Sequence, residues 1–136
     1  MWRRWRLNES EIEKELELKI AITSKGKDLD SPIDPRFGRA AYILIVDTLN
    51  HGVEVLDNSE NVNAFKGAGI QAAVTVSHRG VKVLLTGYCG PNAFKTLNAA
   101  GVKVANDVTG TVRDAVIAYR EGKISFADGA NVEASW

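Results

Sequence analysis

The sequence predicts an α/β fold, with a five-stranded mixed sheet and helices on both faces. Short apolar runs of strand length alternate with stretches of helical period along most of the chain. The second and third runs are joined by a short turn, which predicts a hairpin, and the later runs alternate with helices as parallel strands do. The 136 residues, 45% hydrophobic and 25% charged, are typical of a single globular domain.

The first three strands are predicted from runs of apolar and β-branched residues. Lys19–Ser24 (KIAITS) is the first, and it leads into a polar, glycine-bearing loop at residues 24–35. Residues 42–48 and Val53–Asp57 are the second and third. The turn between them, residues 49–52 (LNHG), makes these two strands antiparallel.

The rest of the chain alternates helices and strands. After Asn61 the apolar residues adopt a helical period, and we expect that helix to pack closely through Gly67 and Gly69. A buried strand follows at residues 81–86, then a helix that starts at Pro91 and stops at Gly101, then a strand at residues 102–105.

The last predicted helix has a clear start signal. Thr111 and Asp114 have the spacing of a capping box, and Gly122 ends the helix. Residues 123–127 are expected to add a short terminal strand. With right-handed connections, these elements predict the sheet order 3-2-1-4-5, with strand 2 antiparallel.

Residues 1–18 form an N-terminal extension in this interpretation, and residues 19–136 form the domain. The extension begins with tryptophans and arginines (WRRWR) and continues with an acidic stretch. It is either a loosely docked arm or an arm that binds a partner protein.

Composition excludes several function classes. Seventeen basic residues balance seventeen acidic ones, so we expect neither nucleic acid nor a membrane as a partner. No apolar run approaches the roughly 20 residues that span a bilayer. The single cysteine, Cys89, allows no internal disulfide and no site built from several thiolates. With no evident secretory leader, a cytoplasmic location is expected.

Three glycine-bearing segments are expected to converge at the carboxyl ends of the parallel strands, where open α/β sheets bind ligands. They are residues 24–27 (SKGK), 63–69 (NAFKGAG) and 86–92 (TGYCGPN). Glycines and helix N-termini favour an anion, which lysines and arginines nearby would complement. Alternatively, these glycines serve only in turns and packing.

Three motifs occur together in a recognisable order: residues 29–40 (LDSPIDPRFGRA), 67–72 (GAGIQA) and 86–93 (TGYCGPNA). In these motifs the chain resembles the dinitrogenase iron–molybdenum cofactor biosynthesis family, and the resemblance extends over residues 19–136. It is strongest to a branch of that family from sulfate-reducing bacteria, whose cluster is held without covalent attachment.

The resemblance implies a three-layer ribonuclease-H-like motif and a non-enzymatic role as cofactor carrier or accessory protein. The implied cofactor is a molybdenum–copper sulfide cluster, or the iron–molybdenum cofactor or its precursor. A cofactor-receiving protein or an ATPase is the expected partner protein.

A thiomolybdate-type cluster brings its own sulfide ligands and a negative charge, so backbone N–H groups, cations and apolar walls suffice to hold it, whereas a protein-ligated zinc or iron–sulfur site needs several Cys or His residues. The candidate cofactor-binding residues are Ser24, Lys25, Gly26, Arg36, Phe37, Arg39, Lys66, Gly67, Ala68, Gly69, Gly87, Cys89, Gly90, Pro91 and Asn92.

Three of these candidates have defined alternatives. The ring of Phe37 is expected to shield the anion. Arg39 either contacts the anion or pairs with Asp34 or Asp47 and only braces the loop. Cys89 is either a soft ligand for copper or a small packing residue.

Two other function classes compete with this interpretation. A nuclease on this fold would need carboxylates clustered on the sheet, but the first strand contains none, and Asp47, Asp57 and Asp107 are scattered. A regulatory module would dock a partner through the Trp2 and Trp5 arm, with docking modulated by the cluster.

Overall fold

The computed structural model describes residues 19–62 and 67–131. The strands are β1 (Lys19–Ser24), β2 (Tyr42–Asp47), β3 (Val53–Asp57), β4 (Val83–Leu85) and β5 (Lys103–Ala105). The helices are α1 (Ser59–Val62), α2 (Ala68–His78), α3 (Pro91–Ala99) and α4 (Val112–Arg120). None of these helices is long and apolar enough to cross a membrane.

The five strands form one mixed sheet in the order β3-β2-β1-β4-β5, as predicted. β2 is antiparallel to both of its neighbours, whereas β1, β4 and β5 are parallel to one another. At the centre of the sheet, Ile22 lies opposite Leu44 on one side and Leu85 on the other. The carboxyl ends of β1, β4 and β5 therefore share one edge of the sheet.

Apolar side chains alternate between the two faces of the sheet, so each face has its own core. The first core packs α2 and α3 against Ala21, Ile43, Ile45, Leu84 and Val104. The second core packs α4 against Ile20, Ile22, Leu44, Val46, Val83, Leu85 and Ala105. Helices on both faces give the three layers that the sequence predicted.

The helix expected after Asn61 is interrupted. α1 ends at Val62, and α2 begins only at Ala68. Gly67 is the N-cap of α2, with a left-handed φ of 80°, so it precedes the helix rather than packing within it. The predicted helical residues Ala64 and Phe65 lie outside the described residues.

The end of the described chain also differs from the prediction. The capping box is confirmed, since Thr111 Oγ1 accepts from Asp114 N–H and the Asp114 carboxylate accepts from Thr111 N–H. No strand forms at residues 123–127, where the described backbone makes one bond to β5, from Ala127 N–H to Val104 O at 2.7 Å. One hydrogen bond is too few for a ladder.

Candidate functional site

The loop of residues 34–41, which follows the bridge between Ser24 and Ile33, is anchored by a buried aspartate. Asp34 is 3% exposed, and its carboxylate accepts from Arg36 N–H at 3.2 Å and from Ala41 N–H at 3.3 Å. Thr23 Oγ1 donates to the Asp34 main-chain oxygen at 2.6 Å. The start of the loop is therefore held against the end of β1.

This loop is joined to the segment that follows β4 by main-chain hydrogen bonds. Tyr88 N–H donates to Pro35 O at 2.6 Å, and Phe37 N–H donates to Tyr88 O at 3.1 Å. Gly87 permits this approach, because a Cβ at Gly87 would lie 2.7 Å from the Pro35 Cα. The two segments pack backbone to backbone.

The same loop also meets the start of α2, and α2 meets the start of α3. A Cβ at Gly38 would lie 2.5 Å from the Gly69 N, and a Cβ at Gly69 would lie 3.1 Å from the Ala93 Cβ. We call this meeting of residues 34–41, the first turn of α2 and residues 86–93 the junction. It lies on the sheet face covered by α2 and α3.

Two helix N-termini therefore lie side by side at the junction. The N-caps of α2 and α3 are Gly67 and Gly90, and neither helix has a capping side-chain hydrogen bond within the described part of the chain. The first N–H groups of a helix have no partner within the helix, and they carry the positive end of its dipole. Such a pair of helix starts is suited to an anion.

The start of α4, on the opposite face, is closed by the protein itself. Asp114 N–H donates to Thr111 Oγ1 at 3.1 Å in the capping box. Val112 N–H donates to Ser31 O at 3.0 Å, and Arg113 N–H donates to Leu29 O at 2.8 Å. This helix therefore leaves no N–H of its first turn for a ligand.

Two arginines lie on the junction loop. The Arg36 side chain is 48% exposed, and its Nε lies 3.6 Å from an Asp34 carboxylate oxygen. Arg39 Nη1 donates to Val62 O, at the end of α1, at 3.1 Å. Asp34, one of the two carboxylates offered as alternative partners of Arg39, lies beside Arg36, and the junction carries two guanidinium groups.

Phe37 and Cys89 belong to the core at the base of the junction. Phe37 is 2% exposed and Cys89 is fully buried, and both pack in the first core. The Phe37 ring therefore presents almost no surface to a ligand, unlike the shield that we expected. Burial raises the pKa of the Cys89 thiol to about 12, so at neutral pH it is a protonated packing group.

The first predicted segment does not join the junction. Ser24 Oγ donates to Gly26 O at 2.8 Å, and Lys25 N–H donates to Pro32 O at 2.9 Å. A Cβ at Gly26 would overlap Ser31 Oγ. Residues 24–33 fold on themselves and against the start of α4, because Pro32 forms a bridge with Thr111.

The structure thus divides the predicted site. The predicted site residues that lie at the junction are Arg36, Phe37, Arg39, Gly67, Ala68, Gly69, Gly87, Cys89, Gly90, Pro91 and Asn92. Ser24 Oγ, Lys25 N–H and Gly26 instead make contacts within residues 24–33, and Lys66 lies outside the described residues. No group of three or more His, Cys, Asp or Glu within residues 19–62 and 67–131 is placed to hold a metal ion.

One residue that sequence reasoning missed is Asn131. Its carboxamide accepts from Cys89 N–H at 2.9 Å and donates to Gly87 O at 2.9 Å. It follows α4 and carries no motif, so nothing local in the sequence points to it. Only the return of the chain across β5 brings it to the junction.

Comparison with known proteins identifies the family of the chain. The profile of the family described as "dinitrogenase iron-molybdenum cofactor" matches residues 18–122, most of the chain. The chain belongs to this family. A comparison with curated protein sequences gives no match.

Solved structures support the assignment to the dinitrogenase iron–molybdenum cofactor family. The apo form of the orange protein from Desulfovibrio gigas is 45% identical, with a TM-score of 0.81, over 85% of this chain and 97% of that one. An NMR structure of a DUF35-family protein from Thermotoga is 41% identical, with a TM-score of 0.69, over 80% and 92%. A Methanocaldococcus jannaschii structure at 18% identity and a TM-score of 0.62, over 83% and 97%, shares the fold.

Proposed function

We propose that this protein binds an anionic metal–sulfur cluster at the junction and carries or stores it without catalysing a reaction. The cluster is cargo, of the molybdenum–copper sulfide type or the iron–molybdenum cofactor type. The observation that carries the proposal is the pair of adjacent helix starts, α2 and α3. Within residues 19–62 and 67–131 no side chain caps either of them, and they lie beside the loop that bears Arg36 and Arg39.

Charge supports an anionic cargo. Each helix N-terminus is equivalent to roughly half a positive charge, and the guanidinium groups of Arg36 and Arg39 lie on the loop beside these helix starts. The Asp34 carboxylate is buried, lies 3.6 Å from Arg36 Nε and accepts from two main-chain N–H groups of its own loop, so it offsets only one of the two guanidinium groups. The junction is therefore a local positive region on a chain whose formal net charge is zero.

The available donor set supports a cluster that brings its own ligands. A protein-ligated zinc or iron–sulfur site takes several Cys or His ligands, and the only thiol at the junction is buried and protonated. A sulfide-rich anion is bound instead by hydrogen-bond donors and cations, and both are present at the junction.

The positions of the carboxylates argue against a nuclease, which is the second function class. Two-metal hydrolysis needs carboxylates that converge on one pair of ions. Asp47 and Asp57 lie at opposite ends of the β2–β3 hairpin, and they form no metal-holding group with Asp107 in the described residues. A carrier needs no such convergence, and a protein that receives the cluster is its expected partner.

The test is a titration of the apoprotein with tetrathiomolybdate and copper together. We expect a saturable charge-transfer spectrum that neither reagent produces alone with the protein. Magnesium and zinc chlorides serve as controls and should bind at least tenfold more weakly. A spectrum identical to that of the mixed reagents without protein would refute the proposal.

A further inference from the structure

The described chain continues beyond α4 and returns to the junction. Ala127 N–H donates to Val104 O at 2.7 Å, and Asn106 Nδ2 donates to Gly129 O at 3.3 Å. The segment then reaches Asn131, beside the loop that follows β4. We call residues 127–131 the C-terminal clasp. The family profile ends at residue 122, so the clasp lies beyond the part of the chain that the family profile describes.

Asn131 bonds residues on both sides of Tyr88, in the bend of residues 87–89 that follows β4 and that we call the turn. Its Oδ1 accepts from Cys89 N–H at 2.9 Å, and its main-chain N–H donates to Cys89 O at 3.2 Å. Its Nδ2 donates to Gly87 O at 2.9 Å and lies 3.4 Å from Asp107 Oδ1. Only a carboxamide places an acceptor and a donor together in this way.

The turn held by Asn131 is the same turn that binds the junction loop. Tyr88, between the two residues that Asn131 bonds, pairs with Pro35 and Phe37 through its own N–H and C=O. Main-chain groups that lose their partners in a part-buried position favour an opened conformation. Loosening Asn131 would therefore loosen the contact between residues 86–90 and the loop of residues 34–41.

We propose that Asn131 is a positioning residue of the candidate site, which holds the turn of residues 87–89 in the conformation that closes the junction and seals Cys89 beneath it. The effect of Asn131 on cluster affinity rests on the proposed function, whereas its effect on the conformation of the turn does not. Through Asn131, the C-terminal clasp therefore affects whether the junction is closed or open.

Cys89 provides a direct reporter, because it is the only cysteine in the chain and is fully buried. A thiol reagent such as an aromatic disulfide reaches it only when the turn opens. In Asn131→Ala we expect the labelling rate in native buffer to rise at least tenfold, and the Cys89 amide to exchange faster with deuterium. Asn98→Ala, an exposed substitution on α3, is the matched control and should label at the wild-type rate.

A second variant separates the two halves of the carboxamide. Asn131→Asp keeps an oxygen for Cys89 N–H but replaces the donor to Gly87 O with an acceptor, next to Asp107. We expect its labelling rate to lie above that of the wild type, because its new acceptor faces Gly87 O and Asp107 Oδ1 with no hydrogen to share. Thermal melts of all variants show whether the core is intact. Equal labelling rates in the wild type and both variants would overturn the clasp.

The binding role is read from the same proteins. With tetrathiomolybdate and copper, Asn131→Ala should raise the dissociation constant about tenfold, while Asn98→Ala should leave it unchanged. Faster labelling with unchanged affinity would overturn the positioning role. Faster labelling in a series whose wild type binds no cluster would instead reject the proposed function and leave the hold of Asn131 on the turn established.

Discussion

Two glycine-bearing segments between β1 and β2, residues 24–33 and 34–41, each pack against helix starts, and the described chain closes only one of these places with its own hydrogen bonds. At α4 the first N–H groups donate to Thr111 Oγ1, Ser31 O and Leu29 O, so the protein completes its own hydrogen bonding. At the junction, α2 and α3 begin at glycines without capping side chains in the described chain. Under the proposed function, the difference teaches that an anion is favoured at a helix start that the protein does not cap itself.

Gly38 and Gly26 also differ in what surrounds them. Gly38 lies against the backbone of Gly69, which belongs to a different element and cannot turn aside. Gly26 lies against the hydroxyl of Ser31, a few residues along its own loop, and that side chain can rotate. One glycine joins segments that are distant in sequence, and the other only tightens a local turn.

Alanine at these glycines gives the largest expected effect. Gly38→Ala should lower the free energy of unfolding by about 3 kcal/mol, because backbone must move, and Gly26→Ala by about 1 kcal/mol, because a side chain can. Gly129→Ala, with nothing within 4 Å, is the control and should stay within about 0.5 kcal/mol. Urea denaturation measures all three. A Gly26→Ala loss as large as that of Gly38→Ala would erase the difference between the two loops.

Alkaline pH should lower the free energy of unfolding through Cys89, which lies beneath the junction. Burial raises the pKa of its thiol from 9.0 to about 12 in the folded protein, so the unfolded chain loses that proton first as the pH rises. The stability of the neutral thiol is fully present below pH 9 and is lost between pH 9 and about 12. Relative to Cys89→Ala, the wild type should lose about 1.4 kcal/mol between pH 8 and pH 10. Parallel pH profiles of the two proteins would contradict this.

On the α4 side, the self-made cap should be worth less than the backbone contacts of the junction. Thr111→Ala removes the acceptor for Asp114 N–H and should lower the free energy of unfolding by about 1 kcal/mol. Cluster affinity should not change, because α4 lies on the opposite face. A fall in affinity without a matching fall in stability would place α4 in the site.

The smallest effect is expected outside both loops. We propose that the domain begins at Lys19, where β1 starts and the α/β pattern with it. Deleting residues 1–18 should therefore shift the melting temperature by no more than about 2 °C. Loss of cooperative unfolding on deletion would show that the extension completes the domain.

The sequence was sufficient for the order of the strands, because strand periodicity and the hairpin turn are local signals and right-handed connections restrict the rest. The capping box of Thr111 and Asp114 was predicted for the same reason. The start of α2 differs from the prediction. Ala64 and Phe65 continue the apolar period on the N-terminal side of Gly67, but the left-handed φ of Gly67 makes the helix begin at Ala68.

The candidate site was predictable only in part. The motifs identified the junction segments, but nothing local shows that Gly26 faces Ser31 or that Arg39 reaches Val62 O. Asn131 was missed because its partners are 42 and 44 positions away in the chain. Contacts at that distance depend on the completed fold, which no motif encodes.

The most direct test of the central claim compares cluster retention in three single variants. With tetrathiomolybdate and copper, Arg39→Ala should raise the dissociation constant tenfold to a hundredfold, since a charge-assisted contact is worth about 1.5–3 kcal/mol. Lys25→Ala, on the closed loop, and Cys89→Ser, beneath the junction, should stay within about threefold. A denaturation curve for each variant separates loss of affinity from loss of folding. Abolition of the coloured complex by Cys89→Ser while Arg39→Ala retains it would show that the thiolate is the anchor and contradict the account.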